Sequence, residues 1–403
     1  MPSPPNQARR RGTTSASDAA GALSPDVLFD VLLRFPAKDL CRLRAVCRGW
    51  RSLTSDPLFI RAHAARHRSP LLVARFRDDG DGDGAHVHVV DLSGSVVKRI
   101  AVGAGPDRQL LCTNLDLACL VTRWNDCLVL DPATAATHAL PTHPVLGDPN
   151  CEELYKPATY FAFGRAPATG EYKVLRMFNR HEPYSSDTVQ LFDVFVFTIN
   201  GGGNARWRVR SRDFFVEARS AVVVGGAVYF LMNGEYYPKK RATVNSGIPP
   251  DYVASLDIET EEWRRELQGP ISGSLDTNDA DDRKEYISLW YQLALGELKG
   301  ALVLANHRGC QFILDLWFLI DFEKGLWVKE YIIETESIVQ SPSREYRMKP
   351  LLVLDDGRLV IYVELTGRLL ICDPETDTCT FVEIRQLDSI AIYTGSLLSL
   401  PRR

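Results

Sequence analysis

Apolar positions along this chain fall into two textures. Between residues 25 and 62 they recur at helical spacing, whereas from Pro70 onward they come in short runs broken by Gly, Asp, Pro and Asn. In the first texture Leu28, Val31, Leu32 and Phe35 follow the i, i+3, i+4, i+7 pattern, and only Asp30 and Arg34 interrupt the stretch from Val27 to Phe35. Ser24 as a cap, Pro25 at the first helical position and Asp26 in the first turn predict a helix that starts here, and Pro36 stops it. Asp30 and Arg34 are four apart and suited to a solvated ridge. A second helical stretch carries Leu40, Leu43 and Cys47, a third Cys47, Trp50 and Leu53, and Asp56-Pro57 opens a fourth through Phe59 and Ala62. A helix apolar around most of its circumference has more surface to hide than so small a unit can cover. Two readings follow: a helical subdomain that packs on the rest of the chain, or a module that keeps one apolar face for a second protein.

In the second texture a pattern recurs: an apolar run ends in Asp, a short turn follows, and a second run begins near an aromatic or Val. It recurs at 87–100, 127–140, 193–209, 253–267, 317–331 and 369–384, with Asp91, Asp131, Asp257, Asp321 and Asp373 at the run ends. Trp263 and Trp327 each fall six residues after their Asp. Asp at a strand end bonds the turn backbone, which accounts for its position without catalysis. Further strands precede these hairpins at Ala221–Leu231, Leu293–Ala305 and Leu351–Tyr362. Two hairpins make a four-stranded sheet with two faces to cover and two edges to protect. Packing such sheets radially solves both problems, so the fold class is a small all-α module followed by an all-β domain, a β-propeller of about six blades, with seven or eight as alternative counts. A large sandwich would show shorter, less unit-like turn spacing. The last strand-like piece, Ile390–Leu400, is expected to pair with an early strand and close the ring.

The helical segment resembles the F-box, the short helical module of F-box proteins. The resemblance rests on Leu23-Ser24-Pro25-Asp26, Phe35-Pro36, Leu40, Val46-Cys47-Arg48-Gly49-Trp50 and Asp56-Pro57-Leu58-Phe59. One residue is inserted between Leu23 and Pro25 relative to the family pattern, and Phe35 stands where Leu is usual. The β region is similar to the F-box-associated domains that follow the F-box in plant proteins, through Asp131-Pro132-Ala133-Thr134, Tyr172-Lys173-Val174, Gly225-Gly226-Ala227-Val228-Tyr229-Phe230 and Asp373-Pro374-Glu375-Thr376. These motifs suit a propeller of the Kelch-like kind. Three segments are expected: a disordered tail over 1–20, from its Pro, Ser, Ala and Arg content, an F-box module over 21–68 and a propeller over 70–403. It also implies adaptor contacts at Leu23, Pro25, Leu28, Leu32, Pro36, Leu40 and Val46, each of which simple core packing would also explain. Trp50 reads as core.

Composition sets further bounds. At 403 residues the chain has room for one small module and one large domain. No apolar run reaches membrane-spanning length and the N-terminus has no hydrophobic signal core, so no membrane association is expected. The nine cysteines are scattered without a C-x-x-C pair, which suggests neither a disulfide framework nor a zinc site, and points to a reducing compartment, cytoplasm or nucleus. Twelve Lys and Arg against five Asp and Glu over residues 1–68 give +7, and with −4 for the whole chain the remainder carries −11. The basic residues lie among buried-type Leu and Val without aromatic interleaving, so an acidic protein partner fits better than nucleic acid. Arg9-Arg10-Arg11 reads as an import signal or as solvated tail.

No phosphate loop and no G-x-S-x-G elbow is present. Asp79-Gly80-Asp81-Gly82-Asp83-Gly84 has the look of a calcium loop, but Val90 stands where the bidentate Glu belongs, so a hairpin tip is expected. His86 and His88 share a strand face without a third ligand in register and are expected to be exposed strand histidines. The acidic stretch Asp276 to Glu285 reads as a loop, and no cofactor or catalytic residue is expected. Two functions remain. In one, the chain is a non-catalytic substrate receptor: its F-box docks a Skp-family adaptor and through it a cullin, and its propeller holds an unidentified target protein for ubiquitination. In the other, a glycan-binding or hydrolytic propeller carries a helical cap and has no ligase role. Long loops at 141–157, 178–190, 232–252, 268–286 and 339–349 are the candidate target surface, with Tyr236, Tyr237 and Lys239-Lys240-Arg241 in one of them.

Overall fold

The computed structural model describes residues 24–77, 86–103, 109–111, 113–121, 127–141, 159–180, 191–199, 206–210, 216–232, 249–276, 279–309, 311–336 and 347–399. The chain divides into two compact units, one of Met1–Arg68 with Leu398–Leu400, the other of Ser69–Leu397 with Pro401–Arg403.

The first unit is helical: α1 (Pro25–Leu32), α2 (Ala37–Leu43), α3 (Arg48–Thr54) and α4 (Pro57–Arg66). The Ser24 hydroxyl accepts from Val27 N at 3.3 Å, and Asp56 caps α4 by accepting from Leu58 N at 2.7 Å. Leu32, Leu40, Phe59 and Leu398 form the core, with Leu28, Phe29, Leu33, Trp50 and Leu53 packed against it. Phe29 meets Phe59 edge-on at 5.1 Å. The chain carbonyls after α1 have lost their helical partners, and two histidines of the α4 end reach them: His63 Nε2 lies 3.0 Å from Phe35 O and His67 Nε2 2.9 Å from Leu33 O. Burial pulls the His63 ring below the ordinary histidine value, opposed by the Phe35 carbonyl. The Arg44 guanidinium donates to the carbonyls of Thr54 at 2.8 Å and Leu398 at 2.6 Å, tying the C-terminal segment into this unit.

The second unit is a propeller of six sheets. Blade 1 is β1 (Leu71–Phe76), β2 (His86–Asp91) and β3 (Val96–Ala101); blade 2 is β4 (Gln109–Leu110), then, after the short β5 (Asn114–Leu115), β6 (Ala118–Val121), β7 (Cys127–Leu130) and β8 (Thr137–Ala139). Blade 3 is β9 (Thr159–Arg165), β10 (Tyr172–Arg180), β11 (Leu191–Thr198) and β12 (Arg208–Val209), and blade 4 is β13 (Val216–Val224), β14 (Ala227–Met232) and β15 (Val253–Asp257). After α5 (Ala280–Gln292), blade 5 is β16 (Leu293–Leu298), β17 (Ala301–Arg308), β18 (Ile313–Asp321) and β19 (Leu326–Glu334); blade 6 is β20 (Met348–Val353), β21 (Leu359–Val363), β22 (Arg368–Asp373) and β23 (Thr378–Phe381). The last strand, β24 (Leu387–Tyr393), pairs antiparallel with β1 from Leu71↔Tyr393 to Phe76↔Leu387, so the ring closes by the C-terminal strand joining the first blade. The closing strand is shorter than the sequence expectation, because the chain beyond Tyr393 leaves the sheet.

Each sheet is covered on both faces by its neighbours. One cluster joins Leu175, Met177 and Val196 of blade 3 to Val228, Phe230 and Leu256 of blade 4, and another joins Leu316 and Phe318 of blade 5 to Leu359, Ile361 and Leu370 of blade 6. The recurrent Asp works as expected. Asp91, Asp131, Asp257, Asp321 and Asp373 each close the third strand from the axis, and each carboxylate accepts from turn amides, as in Asp257 with Glu259 N and Thr260 N, both at 2.9 Å. Four residues after Asp131, Asp257, Asp321 and Asp373 the backbone turns left-handed, at Ala135, Glu261, Gly325 and Asp377. The Gly225-Gly226 pair that joins β13 to β14 is left-handed at both positions, which a two-residue hairpin requires.

Three expectations are corrected here. The acidic stretch is not a loop throughout: α5 begins inside it, because Asp279 caps the amides of Asp281 and Asp282 at 2.8 and 3.1 Å and acidic residues suit a first helical turn. His88 is buried rather than exposed, since blade packing covers both faces of β2, and its ring lies against Phe76 at 4.9 Å. Cys372 and Cys379, expected to be unpaired, form a disulfide because they stand directly opposite each other on β22 and β23. The Asp79–Gly84 stretch and the residues from Tyr236 to Arg241 lie outside the described residues.

Candidate functional site

On α1 the apolar residues split between two faces. Leu28 and Leu32 turn into the helical core, while Val27, Val31 and Phe35, spaced four apart, stay exposed. Val46, after α2, and Leu58, in α4, add to the exposed apolar surface of this unit, and the five residues are between 36% and 64% exposed. The side chains of Arg34, Lys38, Arg42, Arg48 and Arg51 are exposed as well, so the apolar surface belongs to a basic unit.

The expected contact residues divide accordingly. Pro25, Pro36 and Val46 are exposed and Leu28 is half-buried. Leu32, at 1% exposure, and Leu40, at 0%, are core residues and are withdrawn as contacts: their side chains are spent on Phe59 and Leu398 inside the unit. Leu23 lies outside the described residues. Val27, Phe35 and Leu58 are exposed apolar residues that the expected contact set did not include. The signal for the first two was a second stripe at i, i+4, which overlaps the core stripe in the sequence.

In the propeller, polar chemistry is mostly structural. Glu261 is buried with Lys173 at 3.0 Å, Arg210 at 3.0 Å and Arg208 in direct contact. Burial pushes its carboxyl up, but hydrogen bonds from Arg208 and Lys173 overcome that and hold it below the ordinary glutamate value. Tyr172, Lys173 and Val174 thus have separate tasks: the Tyr172 hydroxyl donates to Asp116, Lys173 meets Glu261, and Val174 is in the core. Three tryptophans bridge blades through their indole N–H: Trp207 to Pro141 O at 2.9 Å, Trp263 to Arg210 O at 2.8 Å and Trp327 to Gln268 O at 3.0 Å. Among the described residues no group of three or more His, Cys, Asp or Glu is arranged to hold a metal, and no helix is long and apolar enough to cross a membrane. An open groove of about 830 Å³ runs between blades 4 and 5 beside Arg265, Lys324 and Trp327.

Comparison with known proteins agrees with both units. The F-box domain family matches residues 22–61, and the F-box associated beta propeller domain family matches residues 108–394. Curated relatives from Arabidopsis thaliana include the F-box/LRR-repeat protein At2g43260, 24% identical over 94% of this chain and 82% of its own length. F-box protein CPR1 is 23% identical over 93% of this chain and 86% of its own, and F-box protein At3g07870 is 25% identical over 81% and 78%. Likeness to solved structures is weaker: a chain of a nidogen/laminin complex aligns over 81% of this chain and 99% of its own, with a TM-score of 0.43 and 11% identity. With its helical F-box ahead of six blades that match over most of their length, the chain belongs to the family of F-box-associated β-propeller proteins.

Proposed function

We propose that this chain is a substrate-recognition subunit of a Skp–cullin–F-box ubiquitin ligase. The observation that carries the reading is the exposed apolar set of Val27 and Val31 on α1 and Phe35 in the turn just beyond it, beside Leu28 and Leu32 that face the core, within a segment that matches the F-box family. Val46 and Leu58 are exposed apolar residues of the same unit, and with Pro25, Leu28 and Pro36 they are taken as further adaptor contacts. The basic surface of the unit favours an acidic adaptor, which in turn would bring the cullin. The propeller, of the Kelch-like kind that its strand–turn motifs resemble, holds the target protein. Mechanism is then proximity: the receptor raises the local concentration of target lysines beside a ubiquitin-charged enzyme and carries out no bond chemistry itself. The proposal carries with it the expectation of cytoplasm, nucleus or both, from the scattered cysteines. Thiols there are kept reduced, so Cys372 and Cys379 would stand in those compartments as two facing thiols.

Co-expression with a Skp-family adaptor tests the reading. The wild-type chain is expected to co-purify with it. Val31→Asp puts a charge into the contact while leaving the core untouched, so capture falls at least tenfold with an unchanged melting temperature. Failure of the wild type to co-purify removes the proposal, and unchanged capture by Val31→Asp removes this face as the contact.

A further inference from the structure

In blade 6 the chain passes from the outermost strand directly into the strand that closes the ring. β23 has four residues, three of them exposed, and among the described residues it pairs with β22 alone. Residues 382–386 then lead into β24. This connection is held near the start of β22, where Val382 N donates to Leu369 O at 3.0 Å and Leu387 N to Gly367 O at 2.8 Å. An outer strand with so few buried side chains opens easily, and each opening loosens the anchor from which β24 reaches blade 1. Cys372 and Cys379 cross this strand pair. They stand opposite each other on β22 and β23, Cys372 in the core shared by blades 5 and 6 and Cys379 half-buried against it. A bond between them closes the loop around the Asp373 turn and removes open states of β23. A second cysteine pair lies in blade 2, where the sulfurs of Cys119 and Cys127 are 3.3 Å apart. Both are buried, and burial pushes the Cys119 thiol up. A neutral thiol shut inside a blade is a poor nucleophile. Of the four cysteines, Cys379 alone is not buried.

We propose that Cys372 and Cys379 form a reversible thiol–disulfide switch that sets how firmly the propeller ring is closed. The reaction partners are glutathione and its disulfide, which a reducing compartment supplies. There the open dithiol is the resting form, and a rise in glutathione disulfide closes it. Cys379, as thiolate, attacks one sulfur of glutathione disulfide and releases a glutathione thiolate, which takes up a proton. Cys372 then gives up its proton and attacks the Cys379 sulfur of the mixed disulfide, releasing the second glutathione. The protein loses two thiol protons and two electrons, and one glutathione disulfide becomes two glutathiones. Oxidised, β23 is tied to β22 and steadies β24. Reduced, β23 and the closing strand open more often while the fold persists. The compartment comes from the proposed function, but the purified chain needs no adaptor for the test, so the two readings fail separately.

The test equilibrates the purified full chain with glutathione and its disulfide over a range of ratios. Free thiols are trapped with N-ethylmaleimide and read by peptide mass, and backbone opening is read by deuterium exchange. Cys372 and Cys379 are expected to close and reopen together as the ratio is moved up and down, while Cys119 and Cys127 remain thiols. Amides of residues 387–393 are expected to exchange about tenfold faster in the reduced chain than in the oxidised one. Cys379→Ser is expected to show the reduced rate at every ratio, and the wild-type comparison stands alone should this variant fold poorly. A Cys372–Cys379 pair that stays closed or stays open across the whole range overturns the proposal. So does bonding of Cys119 with Cys127 in its place, equal exchange of β24 in the two states, or a Cys379→Ser chain whose exchange still follows the ratio.

Discussion

Glu261 shows how much rests on single residues in this propeller. It sits in a left-handed turn position, φ 60°, where an ordinary side chain costs about 1–2 kcal/mol, and its carboxylate gathers Lys173, Arg208 and Arg210. Removing one partner of a buried ionic cluster leaves the others uncompensated, so Glu261→Gln is expected to destabilise the propeller by about 3–5 kcal/mol at neutral pH, measured by urea unfolding. The pH dependence has a definite sign. The folded-state carboxyl titrates below the ordinary value of about 4.3, so its contribution is complete above that value and is lost as pH falls through the lower folded-state one. The gap in stability between wild type and Glu261→Gln is therefore expected to narrow on acidification below about pH 4.3. A gap that does not change with pH would show that the carboxylate charge is not what holds the cluster.

At the scale of elements, strands of this domain are legible because turns punctuate them, and their sidedness is not. β14 (Ala-Val-Tyr-Phe-Leu-Met) and β21 (Leu-Val-Ile-Tyr-Val) are buried at every position, since blades cover both faces. Period-two alternation is absent where it would normally announce which face is in. The same coverage hid the burial of His88. The Asp-terminated runs, by contrast, were readable with their purpose, because an Asp–turn bond is a local interaction that needs nothing distant. α5 was missed for the opposite reason: its cap at Asp279 is local and visible, but the acidic composition around it reads equally well as loop. The Trp bridges join blades pairwise, and Trp327 is buried with its N–H on Gln268 O. Trp327→Phe is expected to cost about 1 kcal/mol for the lost hydrogen bond, and Trp327→Ala about 3–5 kcal/mol for the lost packing as well. Denaturant midpoints for the pair check this; equal losses would mean that the bridge, not the ring, does the work.

At the scale of the whole molecule the chain's end serves both units in succession. β24 completes blade 1, and Leu398 a few residues later is a core residue of the helical unit. Deleting residues 398–403 should therefore spare the propeller and destabilise the helical unit by about 2–5 kcal/mol, the cost of losing a buried leucine, with loss of the Arg44 contact besides. Calorimetry with limited proteolysis of residues 24–68 checks this; helices that resist protease as in the wild type would show that Leu398 is dispensable. Deleting from residue 388 instead also removes most of β24, and the propeller itself should then fail to fold.

By itself the sequence determined the four helices before residue 68, the caps at Ser24 and Asp56, the Asp turns, a ring of about six sheets and its closure by the last strand, all of which follow from local spacing or from the need to cover repeated sheets. Only the tertiary structure decided which apolar side chains of α1 are surface. Leu28, Val31, Leu32 and Phe35 make one stripe on paper, yet a helix packed against Leu40, Phe59 and Leu398 must commit Leu28 and Leu32 inward and leave Val31 and Phe35 in water. The pairing of Cys372 with Cys379 was likewise settled by strand register, which sets the two directly opposite each other on β22 and β23.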